Sequence, residues 1–472
     1  MQKGTEPTQP RYVHFYQLKT LGLFIAAMVL LGGLYACSND NNIAGASFVE
    51  GGQNISVDTL DVEDFEIVDL LTYTGNLSVF SAGRFNDPIL GTIQSTAFLA
   101  PGINSVNVSD SVHAGAEVYL VLHPFTFMGD TTGTATFNLH FIEQRWRPVS
   151  VRKDTEIAFN PAPFGQVSFT AETDSVLFKM PQAWADEYRE FFNEENNPLE
   201  NVRENLFGFA VVPTAETNAI VSFSTESIVS DTLGNRNYTG TRLLVVNPES
   251  DDDENGNGGD SGDFFPADDG DDNGNGDNGN GDNGNGDNGD NGGFIDPFPN
   301  RQSFSAPFRG NGFNTIRTDI PDPDPGIIPV FNTFEQVLRL DLNLDSRDFS
   351  SQAVSRAELL LFEDLDASTV LPDGQVRRGS GRLQFYVLNE TERNFEVIKL
   401  PLFEPPVRES DLSYRVNVTE FIQTYQLGRR TETEFFITSG PNNGQFTPTF
   451  LAAPGSGERS PKLIITRINP EK

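Results

Sequence analysis

Val337-Leu338-Arg339-Leu340-Asp341-Leu342-Asn343-Leu344 alternates apolar and polar residues from Leu338 onward. Successive side chains of a β-strand point to opposite faces, so this period of two puts four leucines on one face and Arg339, Asp341 and Asn343 on the other. Outward from this run, residues 357–362, 382–388, 433–437 and 462–466 have strand character, and clusters of Pro, Gly, Asn and Asp separate them. One short helix is expected over 418–425, with Asn417 or Thr419 as its amino-terminal cap and Gly428 as its stop. Short alternating strands with a single small helix argue for an antiparallel sandwich.

The amino-terminal half repeats that order. Residues 114–122 correspond to 355–362, and 136–143 correspond to 382–389. Residues 176–180, leading into a helix near 183–192, correspond to 414–418 and its helix. Each half closes on a similar strand, Arg242-Leu243-Leu244-Val245-Val246 in one and Lys462-Leu463-Ile464-Ile465-Thr466 in the other. Five elements in one order point to duplication rather than to convergent alternation. The expected fold class is therefore all-β: two duplicated antiparallel, jelly-roll-like β-sandwich domains, each with one short helix, over residues 55–247 and 301–472.

Between them, residues 248–300 pass into DDDENGNGGDSGD and DNGNGDNGNGDNGNGDNGDNGG, with sixteen acidic residues and no Lys or Arg. Almost nothing there can be buried, and glycine raises the entropy lost on ordering. The segment is expected to be a disordered acidic linker that lets the two domains move nearly independently. Asp and Asn oxygens suit calcium, but calcium solenoids also carry apolar residues at fixed positions, which this stretch lacks; loose counterion condensation is the better reading. The chain as a whole has a formal net charge of −35. Such a surface repels phosphate backbones and anionic headgroups, which argues against nucleic acid as a partner.

Several runs in the second half carry a family resemblance. Arg339-Leu340-Asp341-Leu342, Ser355-Arg356-Ala357-Glu358-Leu359-Leu360-Leu361, Tyr414-Arg415-Val416-Asn417-Val418-Thr419-Glu420-Phe421-Ile422-Gln423 and Ser460-Pro461-Lys462-Leu463-Ile464-Ile465 together resemble the DNRLRE-type jelly-roll modules. These are carbohydrate-binding-like sandwiches of secreted bacterial proteins, and the resemblance covers roughly residues 315–468. Tyr425 stands where a Trp usually follows the helix. In the first half, Gly83-Arg84-Phe85-Asn86-Asp87-Pro88-Ile89-Leu90-Gly91 leading into Ser95-Thr96-Ala97-Phe98-Leu99 is similar to the Bacteroidota-type surface lipoproteins of unknown function. That resemblance implies a location and no particular activity.

The amino terminus agrees with such a location. Lys3, Arg11 and Lys19 form a basic region, residues 21–34 are apolar, and Leu34-Tyr35-Ala36-Cys37 ends on the only cysteine of the chain. The run resembles bacterial lipoprotein signals, in which the cysteine thiol receives a diacylglyceryl group and becomes the mature amino terminus. Residues 1–36 are then the signal peptide, Cys37 the lipidation site and 37–54 a flexible tether. The resemblance implies an outer-membrane, lipid-anchored and surface-exposed protein, with the membrane as partner through the anchor. The competing reading is an uncleaved anchor helix with an incidental cysteine, although the apolar stretch is short for a bilayer span, which needs roughly 20 residues.

No G-x-S-x-G elbow, Walker A loop or H-E-x-x-H motif occurs, and no pair of histidines has zinc-ligand spacing on one element. His140 reads as a strand histidine and His123 as a loop residue. Asp341, Asn343 and Asp345 have the spacing that opens an EF-hand, but Ser346 and Gln352 stand where Gly and Glu are required. Asp364, Asp366 and Asp373 cluster in the loop after a strand and are the candidate calcium ligands; otherwise they are solvated loop charges. No other cofactor is expected. Trp184 stands with Tyr188, Phe191 and Phe192 at helical spacing and reads as core. Trp146, between Arg145 and Arg147, is the candidate exposed ring for ligand binding. The function expected is a non-enzymatic extracellular binding or display role, with polysaccharide or an envelope protein as partner. The alternatives are an extracellular glycan-degrading enzyme or a structural component of the envelope.

Overall fold

The computed structural model describes residues 54–69, 73–102, 112–192, 205–225, 227–230, 236–249, 298, 301–306, 308–322, 324–332, 336–346, 353–369, 371–388, 397–398, 407–440 and 443–469. The expected signal peptide, Cys37, the expected tether up to residue 53 and nearly all of 248–300 lie outside them. Before the acidic segment come β1 (Asn54–Asp61), β2 (Asp64–Asp69), β3 (Val79–Asp87), β4 (Gly91–Pro101), β5 (Glu117–Leu122), β6 (Pro124–Asp130), β7 (Ala135–Phe141), β8 (Gly165–Phe169), β9 (Val176–Lys179), helix α1 (Gln182–Tyr188), β10 (Phe209–Pro213), β11 (Ala219–Ser224), β12 (Ser227–Ser230), β13 (Arg236–Thr239) and β14 (Arg242–Val246). After it come β15 (Ser303–Ala306), β16 (Phe308–Thr318), β17 (Ile327–Val330), β18 (Gln336–Asp341), β19 (Ala353–Phe362), α2 (Leu365–Thr369), β20 (Gln375–Val376), β21 (Gln384–Leu388), β22 (Val397–Ile398), β23 (Ser413–Asn417), α3 (Thr419–Gln426), β24 (Glu434–Thr438), β25 (Thr449–Ala452) and β26 (Lys462–Asn469). By packing, one large unit spans 57–350 and 354–466 and holds both sandwiches. Of the described residues, the small second unit holds only 54–56, 353 and 467–469, the ends of β1, β19 and β26.

The fold is all-β and antiparallel, as the alternation predicts. In the first sandwich, the sheet β20-β6-β11-β3-β4-β10-β7-β8, with β16 along β4, packs on the four-stranded sheet β15-β14-β5-β9. Phe80, Phe85, Ile93, Leu99 and Phe209 meet Val118, Leu120, Leu243 and Val245 in that core. In the second, β2-β18-β24-β21-β22 packs on β1-β26-β19-β23. Leu338, Leu340, Phe385 and Phe435 meet Leu359, Leu361, Val416 and Leu463 there, with Phe421 and Ile422 of α3 closing the end.

The strand that opened the sequence reading is shorter than its pattern. It ends at Asp341, whose Oδ1 accepts the Asn343 N–H at 2.8 Å, and Asn343 turns the chain through a left-handed φ of 49°. Leu342 and Leu344 remain fully buried, now from this turn and the 3-10 turn that follows it. On the outer face Arg339 ion-pairs with Glu66 of β2 at 2.7 Å and with Glu434 of β24, tying three strands together. Helix α3 starts at Thr419, one residue later than expected, and its cap position is Val418, which makes no side-chain cap hydrogen bond; Asn417 Oδ1 accepts the Thr419 N–H at 3.0 Å just before it. It stops before Gly428, whose φ of 66° an L side chain rarely adopts.

The duplication is visible in the pairing. The order β15-β14-β5-β9 in one sandwich matches β1-β26-β19-β23 in the other, and β4-β10-β7-β8 matches β18-β24-β21-β22. β16 on the outer edge of β4 matches β2 on the outer edge of β18. This correspondence corrects the expected division at 248–300, because each sandwich receives its first two strands from the other half of the sequence. β1 and β2 precede the first sandwich in the chain but sit in the second. β15 and β16 follow the acidic segment but sit in the first, with β16 paired to β4 from Phe308↔Pro101 to Thr318↔Thr92.

The acidic segment therefore does not join two independent bodies. It leaves β14 and returns on β15, two antiparallel neighbours with Val246 opposite Ser303. Asn247 N–H donates to Gln302 O at 2.9 Å, and Arg301 Nε donates to Asn247 O at 2.7 Å. Arg301 also ion-pairs with Glu117 at 2.7 Å. Lys179 above all, with Arg301 and Tyr119, holds the Glu117 carboxyl at a pKa of about 2.

A buried ion pair locks the two halves of the sequence together. Asp87, from the Gly83 to Gly91 motif, receives Arg377 Nε and Nη2 at 2.8 Å each. Its Oδ1 also accepts the N–H groups of Ile89 and Leu90, both at 2.8 Å. The Arg377 guanidinium donates to Ala367 O and lies 4.6 Å from the centre of the Phe450 ring.

Candidate functional site

β4 turns Ile93, Ala97 and Leu99 into the first core and Thr96 and Phe98 outward. The outward face is not open, because residues 142–160 fold back across it. Glu143 N–H donates to Ala158 O at 3.0 Å and Thr315 N–H of β16 donates to Lys153 O at 3.1 Å, which close that loop over the sheet. A Cβ on Gly312 of β16 would stand 2.9 Å from Val151 Cβ, so the loop lies flat only because that strand position has no side chain. Phe98, Ile142, Val151, Ile157 and Ala210 form a small core between loop and sheet.

Beside this small core is a cleft of about 410 Å³ between sheet and loop, lined by Thr96, Phe98, Gln144, Glu156, Phe159 and Asn314 among others. Asn314 Oδ1 accepts the Thr96 N–H at 3.1 Å, and Gln144 Nε2 donates to the Glu156 carbonyl at 3.3 Å, so two of the polar walls are fixed in place. His140 stands behind Phe159, its ring centre 4.9 Å away. It is buried, and its Nδ1–H donates to Asn160 O at 2.7 Å. The cleft thus sets one half-buried ring, amides, a hydroxyl and one carboxylate around a space large enough for a small polar ligand.

Trp146 is not the exposed ring expected. Its Nε1–H donates to Phe207 O at 2.8 Å, and its ring meets Phe98 edge-on at 6.1 Å. Trp184 is core, 6% exposed, and packs against Tyr188 and Phe209. His123 is half-buried beside Ser224, and burial, with the Arg242 charge, lowers its pKa.

Of the calcium candidates, Asp364 Oδ1 accepts the Ala367 N–H at 2.8 Å and caps α2, while Asp366 and Asp373 are exposed. Among the described residues no three His, Cys, Asp or Glu side chains gather as a metal site. Sequence reasoning missed Gln144, Glu156, Phe159 and Asn314. Gln144, Glu156 and Phe159 come from one loop and Asn314 from β16, and no spacing within the chain links the loop to that strand. No family model matches the chain, and no curated protein matches it.

Proposed function

We propose that the protein is a lipid-anchored component of the outer envelope that captures polysaccharide without cleaving it. The observation that carries this reading is the cleft on the outer face of the first sandwich. Phe159 offers a ring for the apolar face of a sugar, and Gln144, Glu156 and Asn314 offer the directional donors and acceptors that hydroxyl groups need. Glu156 is the one carboxylate among the described lining residues. Glycosidases ordinarily place two carboxyl groups about 5 to 10 Å apart across the scissile bond, so the cleft suits retention better than hydrolysis.

The test is affinity electrophoresis through gels containing neutral and acidic polysaccharides, with reducing ends assayed in parallel. The wild-type chain is expected to be retarded by at least one polymer, and Gln144→Ala with Glu156→Ala is expected to abolish the retardation. Reducing ends that accumulate with time would replace capture by hydrolysis, and retardation by none of the polymers would remove the reading altogether. For the anchor, Cys37→Ser is expected to release the protein from membranes and to end incorporation of labelled palmitate. A variant that still takes up label and sediments with membranes would show that Cys37 is not the acylated residue.

A further inference from the structure

Arg145 and Arg147 flank a tryptophan that the structure turns inward. The Trp146 ring is held by Phe207 and Phe98, while the arginine on each side of it faces solvent. Both are exposed, and among the described residues neither side chain has a hydrogen-bond or ion-pair partner. Many other arginines of the chain are engaged: Arg301, Arg339, Arg356, Arg377, Arg408 and Arg415 all lie in ion pairs. Arg145 follows directly on Gln144, which lines the cleft, and Arg147 stands two residues further along the same loop.

Charge in this region also runs against the rest of the chain. Residues 142–160 carry Arg145, Arg147, Arg152 and Lys153 against Glu143, Asp154 and Glu156. The loop is thus net positive in a protein of net charge −35. At physiological ionic strength the Debye length is about 8 Å, so distant acidic residues are screened and the local arginines dominate what a ligand meets. A guanidinium presents a planar fork that matches a carboxylate or a sulfate with paired hydrogen bonds.

We propose that the cleft takes an anionic polysaccharide, with Arg145 and Arg147 binding the acidic groups of the polymer while Gln144 and Glu156 bind its hydroxyls. This rests on the capture reading above and names its substrate class. The anchored Trp146 is then a positioning residue that fixes the two arginines at the cleft. Carboxylate and sulfate share the chemistry, and separate polymers distinguish them.

The experiment measures retardation by polygalacturonate, dextran sulfate and neutral dextran for the wild type, for Arg145→Gln with Arg147→Gln, and for a control with Arg378→Gln and Arg382→Gln, two other exposed arginines. Retardation by polygalacturonate, by dextran sulfate or by both is expected, weakened at least about tenfold in the first variant and unchanged in the control, as for loss of a charge-assisted pair. An unchanged thermal midpoint in the first variant is also expected, because neither side chain packs. Equal retardation by neutral dextran, or equal weakening in both variants, would overturn the inference and leave capture standing. Retardation by no polymer would sink both.

Discussion

Asp87→Ala is expected to lower the unfolding free energy by about 3–5 kcal/mol, the range for removing one partner of a buried, hydrogen-bonded ion pair. The Asp87 and Arg377 side chains are 0% and 1% exposed, so the guanidinium left behind has no access to water. Two further losses add to the charge. The N–H groups of Ile89 and Leu90 lose their acceptor, which frees the turn between β3 and β4. Arg377 also loses the group that holds it against Phe450 in the first core. Arg377→Ala should cost a similar amount, for the complementary reason. The double substitution Asp87→Leu with Arg377→Met should recover much of the loss, since an apolar pair leaves no buried charge unpaired. Urea titration of the four proteins decides the matter. A loss below about 1 kcal/mol in Asp87→Ala would mean that water reaches the pair and that the two halves are held by other contacts.

Local pattern and long-range pairing were legible to different degrees. The leucines of 338–344 are all buried, and the duplicated order of elements survives as a duplicated order of strands in both sheets. Those features depend on side-chain period and on neighbours along the chain, which a sequence displays. Which copy β2 joins depends on contacts 267 to 273 residues away. Nothing in Asp64-Phe65-Glu66-Ile67-Val68-Asp69 says that its partner is β18 rather than β4. Arg377 gave no signal either, because the carboxylate that explains it lies 290 positions earlier. Trp146 failed for a related reason: flanking arginines suggest exposure, but its indole N–H finds a carbonyl 61 residues on. The cleft was illegible because its polar lining is assembled from separate elements.

Produced alone, residues 301–472 are expected to be insoluble or unfolded, whereas residues 38–249 and 301–472 produced together should co-purify as one folded complex. The isolated second half lacks β2, so β18 becomes an open sheet edge. It also carries β15 and β16 without β14 and β4, leaving Ala306 and Phe313, both buried in the first core, without a place to go. The isolated first half has the converse defect, with β4 exposed along ten paired positions. Mixed together, each half supplies the strands the other lacks. The same geometry predicts that the acidic segment is dispensable for folding. Asn247 and Gln302 already bond to each other, so joining them through a short turn in place of 250–297 closes a hairpin that exists. Loop-closure entropy changes by only about 0.6 kcal/mol per doubling of length and favours the shorter loop. The shortened protein should therefore melt no lower than the full chain. Two halves that each fold and remain monomeric when separated would contradict the strand exchange, and so would a shortened chain that fails to fold.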